Sequence, residues 1–115
     1  MERKLSIITV NRNNAEGLRK TIASVIAQTY GNYEFVIIDG ASTDESLEVI
    51  RKNAGRISYW ISEPDNGTYH AMNKGIKVSA GEYCLFLNSG DYLVDKNVLE
   101  KIFNQKIDAD IISGD

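Results

Sequence analysis

The stretch YEFVIID, residues 33–39, decides the fold class of this chain. Four consecutive apolar residues run from an aromatic start to Asp39. A continuous apolar run of this length predicts a strand that is buried on both faces. A similar run, LSIITV at residues 5–10, precedes it. Between the two runs the apolar residues recur with a helical period, which predicts a helix from Ala15 with Asn14 as its N-cap.

The rest of the chain continues this alternation of strands and helices. Three further strands are predicted at residues 57–63, 82–89 and 108–113. Three further helices are predicted at 40–53, at 68–78 and after Asp95. Ser42 and Glu45 have capping-box spacing at the first of these helices, and Ala71, Met72 and Ile76 are expected to face the core from the second. The alternation predicts an α/β fold, a mostly parallel sheet with helices on both faces.

Length and charge exclude several function classes. The chain has 115 residues, enough for one domain over residues 1–115, and 43% of them are hydrophobic. A net charge of −3 argues against a nucleic-acid binder with a basic face. Cys84 is the single cysteine, which excludes a disulfide framework and fits a reducing compartment. We therefore expect a soluble, cytoplasmic protein, with the inner face of the membrane as a further location.

Polar residues follow the predicted strands at one rim of the sheet, where ligands bind in such folds. They lie at residues 10–11, 39–40, 63–67 and 88–91. The G-x-G-x-x-G fingerprint and the P-loop are both absent, so neither a dinucleotide site nor a P-loop NTPase is supported. A receiver domain is a weak alternative, because no lysine follows the last strand.

Two stretches together resemble one known family. SIITVNRNNAEGLRKTIASVIAQTYGNYEFVIIDGASTDES at 6–46 and EPDNGTYHAMNKGIKVSAGEYCLFLNSGD at 63–91 are similar to the N-terminal, nucleotide-binding half of family 2 glycosyltransferases. The resemblance implies a Rossmann-like GT-A half-domain that uses nucleotide-diphosphate sugars with inversion. It also implies a truncated domain, which we expect to self-associate through apolar surface.

The resemblance implies roles for the ends of the first two strands. Thr9, Val10 and Asn11 match the stretch where the family holds the nucleobase. Asp39 matches the aspartate that accepts a hydrogen bond from the uracil ring, where a carboxylate suits an imide N–H. The alternative for Asp39 is a turn residue at a strand end.

The stretch DNGTYHAMNKGI, residues 65–76, resembles the family's third motif. Asn73 matches its asparagine, and Met72 stands where many members have an arginine facing the diphosphate. Lys74 is expected to supply that charge; the alternative is that Met72 is core and Lys74 a solvated residue. Asp65 either lines the sugar pocket or begins a turn, and His70 is not expected to be the base.

NSGD, residues 88–91, matches the family's aspartate-x-aspartate motif, which binds Mn²⁺ or Mg²⁺ on the sugar diphosphate. Asp91 is its only acid. One carboxylate suffices in principle, because Mg²⁺ keeps several waters and takes further ligands from substrate phosphates. Asp91 is thus the expected metal ligand, and Asn88 is expected near the sugar. A plain Ser-Gly-Asp turn is the alternative.

The resemblance implies the donor domain of an inverting glycosyltransferase. It would bind a UDP-type sugar with a divalent metal for transfer to a cell-surface polysaccharide or lipid-linked acceptor. The family's catalytic base lies further downstream, so no catalytic residue is assigned, and the 115-residue chain alone is expected to be inactive. The alternatives are a non-catalytic nucleotide-binding or assembly module of the same fold, and an unrelated flavodoxin-like domain.

Overall fold

Five strands form one parallel sheet in the computed structural model, which describes residues 5–103 and 111–113. The strands are β1 (Leu5–Asn11), β2 (Tyr33–Asp39), β3 (Tyr59–Ser62), β4 (Tyr83–Phe86) and β5 (Ile111–Ser113). Their order is β3-β2-β1-β4-β5, and every neighbouring pair is parallel. The predicted parallel α/β sheet is confirmed, with β3 and β4 shorter than predicted. Residues 108–110 of the predicted last strand lie outside the described residues.

The helices cover both faces of the sheet, as predicted. They are α1 (Ala15–Ile26), α2 (Ser46–Lys52), α3 (Thr68–Val78) and α4 (Val98–Phe103), with a 3₁₀ turn at Ala54–Arg56. The larger apolar cluster joins one face of the sheet to α1, α2 and α4, and the smaller one joins the other face to α3. Asn14 caps α1 through an Oδ1 that accepts the Gly17 N–H, which confirms the predicted cap. Asp95 accepts the Asn97 N–H, just before α4.

Helix α3 lies against the sheet through Gly75. A Cβ at this position would be 2.5 Å from Ile8 Cγ2, so only a glycine permits the observed approach. Ala71 is buried against the same sheet face, and the partly buried Met72 packs against it from the edge of the cluster. Ile76 is 45% exposed, so its predicted core position is wrong. Because successive helical residues point about 100° apart, the glycine that faces the sheet turns Ile76 outward.

Helix α2 does not use the predicted capping box. It begins at Ser46, and the Glu45 side chain makes no cap hydrogen bond. Asp44 Oδ1 accepts the Ser46 N–H at 2.9 Å instead. Ser42 is occupied elsewhere, because its hydroxyl donates to Asp39 Oδ1 at 2.7 Å. The capping box predicted from the spacing of Ser42 and Glu45 is therefore wrong, because the Ser42 hydroxyl donates to the buried carboxylate of Asp39.

Candidate functional site

A pocket of about 350 Å³ lies at the carboxyl ends of the strands. The strand order places β1 beside β4, and the helix after β1 and the helix before β4 pack on opposite faces of the sheet. This arrangement makes a topological switch point, where ligands bind in open parallel sheets. The pocket opens there and is lined by Val10, Asn11, Arg12, Asp65, Gly67, Thr68, Ala71, Asn88 and Ser89.

Asp39 is fully buried and holds three strand ends together. Its Oδ1 accepts from Asn11 Nδ2 at 2.8 Å and from Ser42 Oγ at 2.7 Å. Its Oδ2 accepts from the Ser42 backbone N–H and from Ser62 Oγ, both at 2.8 Å. Both carboxylate oxygens are thus bonded twice within the protein. A hydrogen bond from a base to Asp39 would have to replace one of these four.

The predicted residues of β1 divide between the pocket and the sheet interior. Val10 and Asn11 line the pocket, whereas Thr9 is fully buried. The Asn11 amide is oriented by its neighbour, because the Asp39 carboxylate can only accept and must face the NH₂ group. Asn11 Oδ1 and Thr9 Oγ1 are buried without a hydrogen-bond partner among the described residues.

The loops that follow β1 and β2 are tied to each other beside this cluster. Asn13 has a φ of 50°, and its Oδ1 accepts the Thr43 N–H at 2.7 Å. Ala41 has a φ of 58°, a left-handed conformation that is costly for alanine. Asp44 accepts the backbone N–H of the first residue of both α1 and α2. Hydrogen bonding from Ser46 is the largest cause that lowers the pKa of Asp44.

Two charged residues lie close to Gly40, just after the end of β2. A Cβ placed on Gly40 would lie 2.9 Å from Asp65 Oδ2 and 3.6 Å from Arg12 Cδ. Asp65 lines the pocket and also accepts the Gly67 N–H at 3.0 Å, and its place beside a sugar stays a prediction. Sequence reasoning missed Arg12. Its position, one residue beyond the end of β1 at the polar rim, was the available signal.

The start of α3 borders the pocket, but two residues predicted from its motif do not. Gly67 is the N-cap residue, and no side chain of the described residues makes a cap hydrogen bond at this end of the helix. The backbone N–H groups in the first turn of α3 form the positive end of the helix dipole. Asn73 is exposed and absent from the pocket lining. Lys74 Nζ lies 3.0 Å from Glu63 Oε1 and donates to the Pro64 carbonyl at 3.1 Å, so it anchors the loop before α3.

Residues 88–91 form a tight turn beside the pocket. The Asp91 N–H donates to the Asn88 carbonyl at 2.9 Å, and Gly90 has a φ of +101°, which a type II turn requires at its third residue. Asp91 Oδ2 accepts the Asn88 N–H at 3.1 Å, and the Asp91 carbonyl accepts from Thr21 Oγ1 at 2.6 Å. Asn88 and Ser89 line the pocket, and the partly buried Asp91 stands next to them.

The donor set for a metal is sparse. In the part of the chain that the structure describes, no three or more histidine, cysteine or acidic side chains form a group that could hold an ion. Asp91 alone fits Mn²⁺ or Mg²⁺ only if water and a substrate diphosphate complete the coordination, a pattern that Mg²⁺ commonly shows. Among these residues, no helix has the length and apolar character needed to cross a membrane.

Comparison with known sequences gives one consistent result. Residues 6–114 match the family described as glycosyl transferase family 2. An uncharacterized glycosyltransferase of Mycobacterium tuberculosis is 42% identical over 88 residues, which are 76% of this chain and 34% of that protein. The poly(ribitol-phosphate) beta-N-acetylglucosaminyltransferase TarP of Staphylococcus aureus is 37% identical over 119 residues, covering 97% of this chain and 36% of that protein. The chain thus spans about a third of each of these relatives.

Solved structures confirm the fold. S. aureus TarS in complex with UDP-GlcNAc superposes with a TM-score of 0.81 at 24% identity, covering 88% of this chain and 30% of that one. A mannosyltransferase of Pyrobaculum calidifontis in complex with GDP-Man and Mn²⁺ gives a TM-score of 0.77 at 21% identity, covering 86% and 31%. The predicted Rossmann-like GT-A half-domain is therefore present.

Proposed function

The chain belongs to glycosyl transferase family 2, and on that premise we propose that it forms the donor-binding part of an inverting glycosyltransferase. The observation that carries the proposal is the pocket at the switch point between β1 and β4, bordered by the uncapped start of α3. Its volume of about 350 Å³ is in the range of small-molecule sites. A UDP-type sugar is the proposed ligand.

The base, the diphosphate and the sugar of such a ligand can each be placed against a different part of the pocket. In this proposal the base binds beside Thr9, Val10 and Asn11, with Asp39 behind them. The N–H groups at the start of α3 favour an anion, so the diphosphate lies against this helix, to which Asn73 belongs. Asn88 and Asp65 line the remaining wall, where we place the sugar.

Asp91 would hold the Mn²⁺ or Mg²⁺ ion together with the diphosphate. The turn at 88–91 presents its carboxylate next to the pocket-lining Asn88 and Ser89. A bound ion would neutralise the charge that develops on the leaving diphosphate. The presence of Mn²⁺ with GDP-Man in the related mannosyltransferase structure supports this part of the proposal.

The acceptor is proposed from relatives alone, and the location from the single cysteine of the chain. TarP is named for transfer to poly(ribitol-phosphate), a polymer acceptor, and we propose a cell-surface polysaccharide or lipid-linked acceptor for the present protein. The reaction would take place in the cytoplasm at the inner face of the membrane. No residue of this chain is assigned as the catalytic base, so the chain by itself is proposed to bind the donor without transferring its sugar.

Self-association belongs to the same proposal. Several large side chains are exposed, with Tyr69 at 84% and Val94 at 75%. Sedimentation velocity should show a weight-average mass that rises with concentration. A single monomeric species at all concentrations would contradict this part.

Calorimetry tests the donor site. We expect UDP to bind the chain, and more tightly with Mn²⁺ than without it. Asp91→Ala should remove the metal dependence, because it deletes the proposed ligand. Asp95→Ala is the matched control, since Asp95 is an exposed acid that faces Lys101 and not the pocket. Absence of binding to UDP, GDP and every other nucleoside diphosphate would refute the proposal.

A further inference from the structure

The pocket has two charged lining residues, Arg12 and Asp65. We propose that Arg12 pairs with the donor's diphosphate, supplying the charge that the sequence led us to expect from Lys74. This inference rests on the proposed function and deepens it. A diphosphate carries more than one negative charge and Asp65 repels it. Among the described residues that line the pocket, only Arg12 has a positive charge to offset that of the diphosphate.

Lys74 already binds the loop before α3. Its ammonium forms an ion pair with Glu63 at 3.0 Å and donates to the Pro64 carbonyl, and its side chain is only 19% exposed. These contacts hold the segment that leads into Asp65. Turning Lys74 towards a ligand would break both contacts and loosen one wall of the pocket.

Arg12 is available. It is exposed, and its guanidinium makes no hydrogen bond or ion pair with any residue that the structure describes. Its stem passes over the end of β2, with Cδ 3.6 Å from the point where a Cβ on Gly40 would lie. The planar fork of an arginine binds two phosphate oxygens at once, whereas an ammonium acts as a point charge.

Paired titrations of UDP and uridine test the role. UDP affinity is measured by calorimetry and uridine affinity by amide chemical shifts, at one fixed Mn²⁺ concentration. We expect Arg12→Gln to weaken UDP binding by about 10- to 100-fold, the usual effect of deleting a charged hydrogen-bonding partner. Uridine binding should be unchanged. Arg12→Lys should recover part of the UDP affinity, because lysine restores the positive charge but not the planar guanidinium that binds two phosphate oxygens.

Lys74→Gln is the comparison variant. If Lys74 only anchors its loop, this change weakens UDP and uridine by similar factors. The inference is overturned if Arg12→Gln binds UDP as tightly as the wild type, if it loses uridine and UDP equally, or if Lys74→Gln gives the larger loss specific to UDP. A wild-type chain that binds no nucleoside diphosphate instead refutes the proposed function itself, and this inference with it.

Discussion

Replacement of Asp39 by alanine should destabilise the fold whether or not a ligand is present. Four donors lose their acceptor: the Asn11 amide, the Ser42 N–H, the Ser42 hydroxyl and the Ser62 hydroxyl. The hydroxyls can rotate to other acceptors, but the Asn11 amide and the Ser42 N–H are buried and fixed. At about 1–3 kcal/mol for each unsatisfied buried donor, the expected loss of unfolding free energy is about 4 kcal/mol. That is a large share of the ~5–15 kcal/mol typical of a whole domain.

Urea denaturation measures this loss, and an unchanged m-value would show that the unfolded state is the same. Ser62→Ala removes one donor from a partly exposed position and should cost about 1 kcal/mol. Asp65 lies in the pocket wall and its side chain makes one hydrogen bond, to the Gly67 N–H, so Asp65→Ala should change stability by less than about 0.5 kcal/mol. If the unfolding free energy of Asp39→Ala lies within about 1 kcal/mol of the wild type, the four hydrogen bonds of Asp39 do not stabilise the strand ends.

Three further changes test other parts of the structure. Gly75→Ala should cost about 1–3 kcal/mol of unfolding free energy, because its Cβ would meet Ile8 Cγ2 at 2.5 Å; an unchanged urea midpoint would contradict the close approach of α3. Ala41→Gly should raise the unfolding free energy by about 1 kcal/mol and Tm by ~4–8 °C, since glycine tolerates the φ of 58°. Differential scanning calorimetry measures the change, and a lower Tm would contradict the prediction. The lowered pKa of Asp44 means that, as pH falls, the unfolded chain takes up a proton at this residue before the folded chain does. The stabilising contribution of the ionised Asp44 is therefore complete above the ordinary value of 3.8 and is lost as pH falls through the lower folded pKa. The difference in unfolding free energy between the wild type and Asp44→Asn should therefore shrink as pH falls below that value, and a difference independent of pH would be at odds with it.

The sequence predicted the fold well because its signals are local. The apolar run of β2 and the helical spacing of α1 each depend only on neighbouring residues, and both elements appear where expected. The errors arose where a local pattern had a distant competitor. Ser42 had the right spacing for a capping box but bonds to Asp39, and Ile76 had the right polarity for the core but follows the glycine that faces the sheet.

The candidate site was only partly predictable. Val10, Asn11, Asp65 and Asn88 line the pocket because strand ends meet at one rim in any parallel sheet, which the alternation of elements already implied. Arg12 escaped notice, since a charged loop residue resembles solvated surface until its neighbours are known. The ion pair of Lys74 depends on how α3 lies against its preceding loop, and no spacing along the chain encodes that.

The network around Asp39 bears on how related sequences are interpreted. An aspartate that joins the ends of three strands contributes to folding in its own right. A descendant that had lost its donor sugar and its chemistry would still need this residue to keep its shape. Its presence in a relative is therefore evidence of shared architecture and weak evidence of activity, and the better markers of a working enzyme are residues whose loss leaves the fold intact.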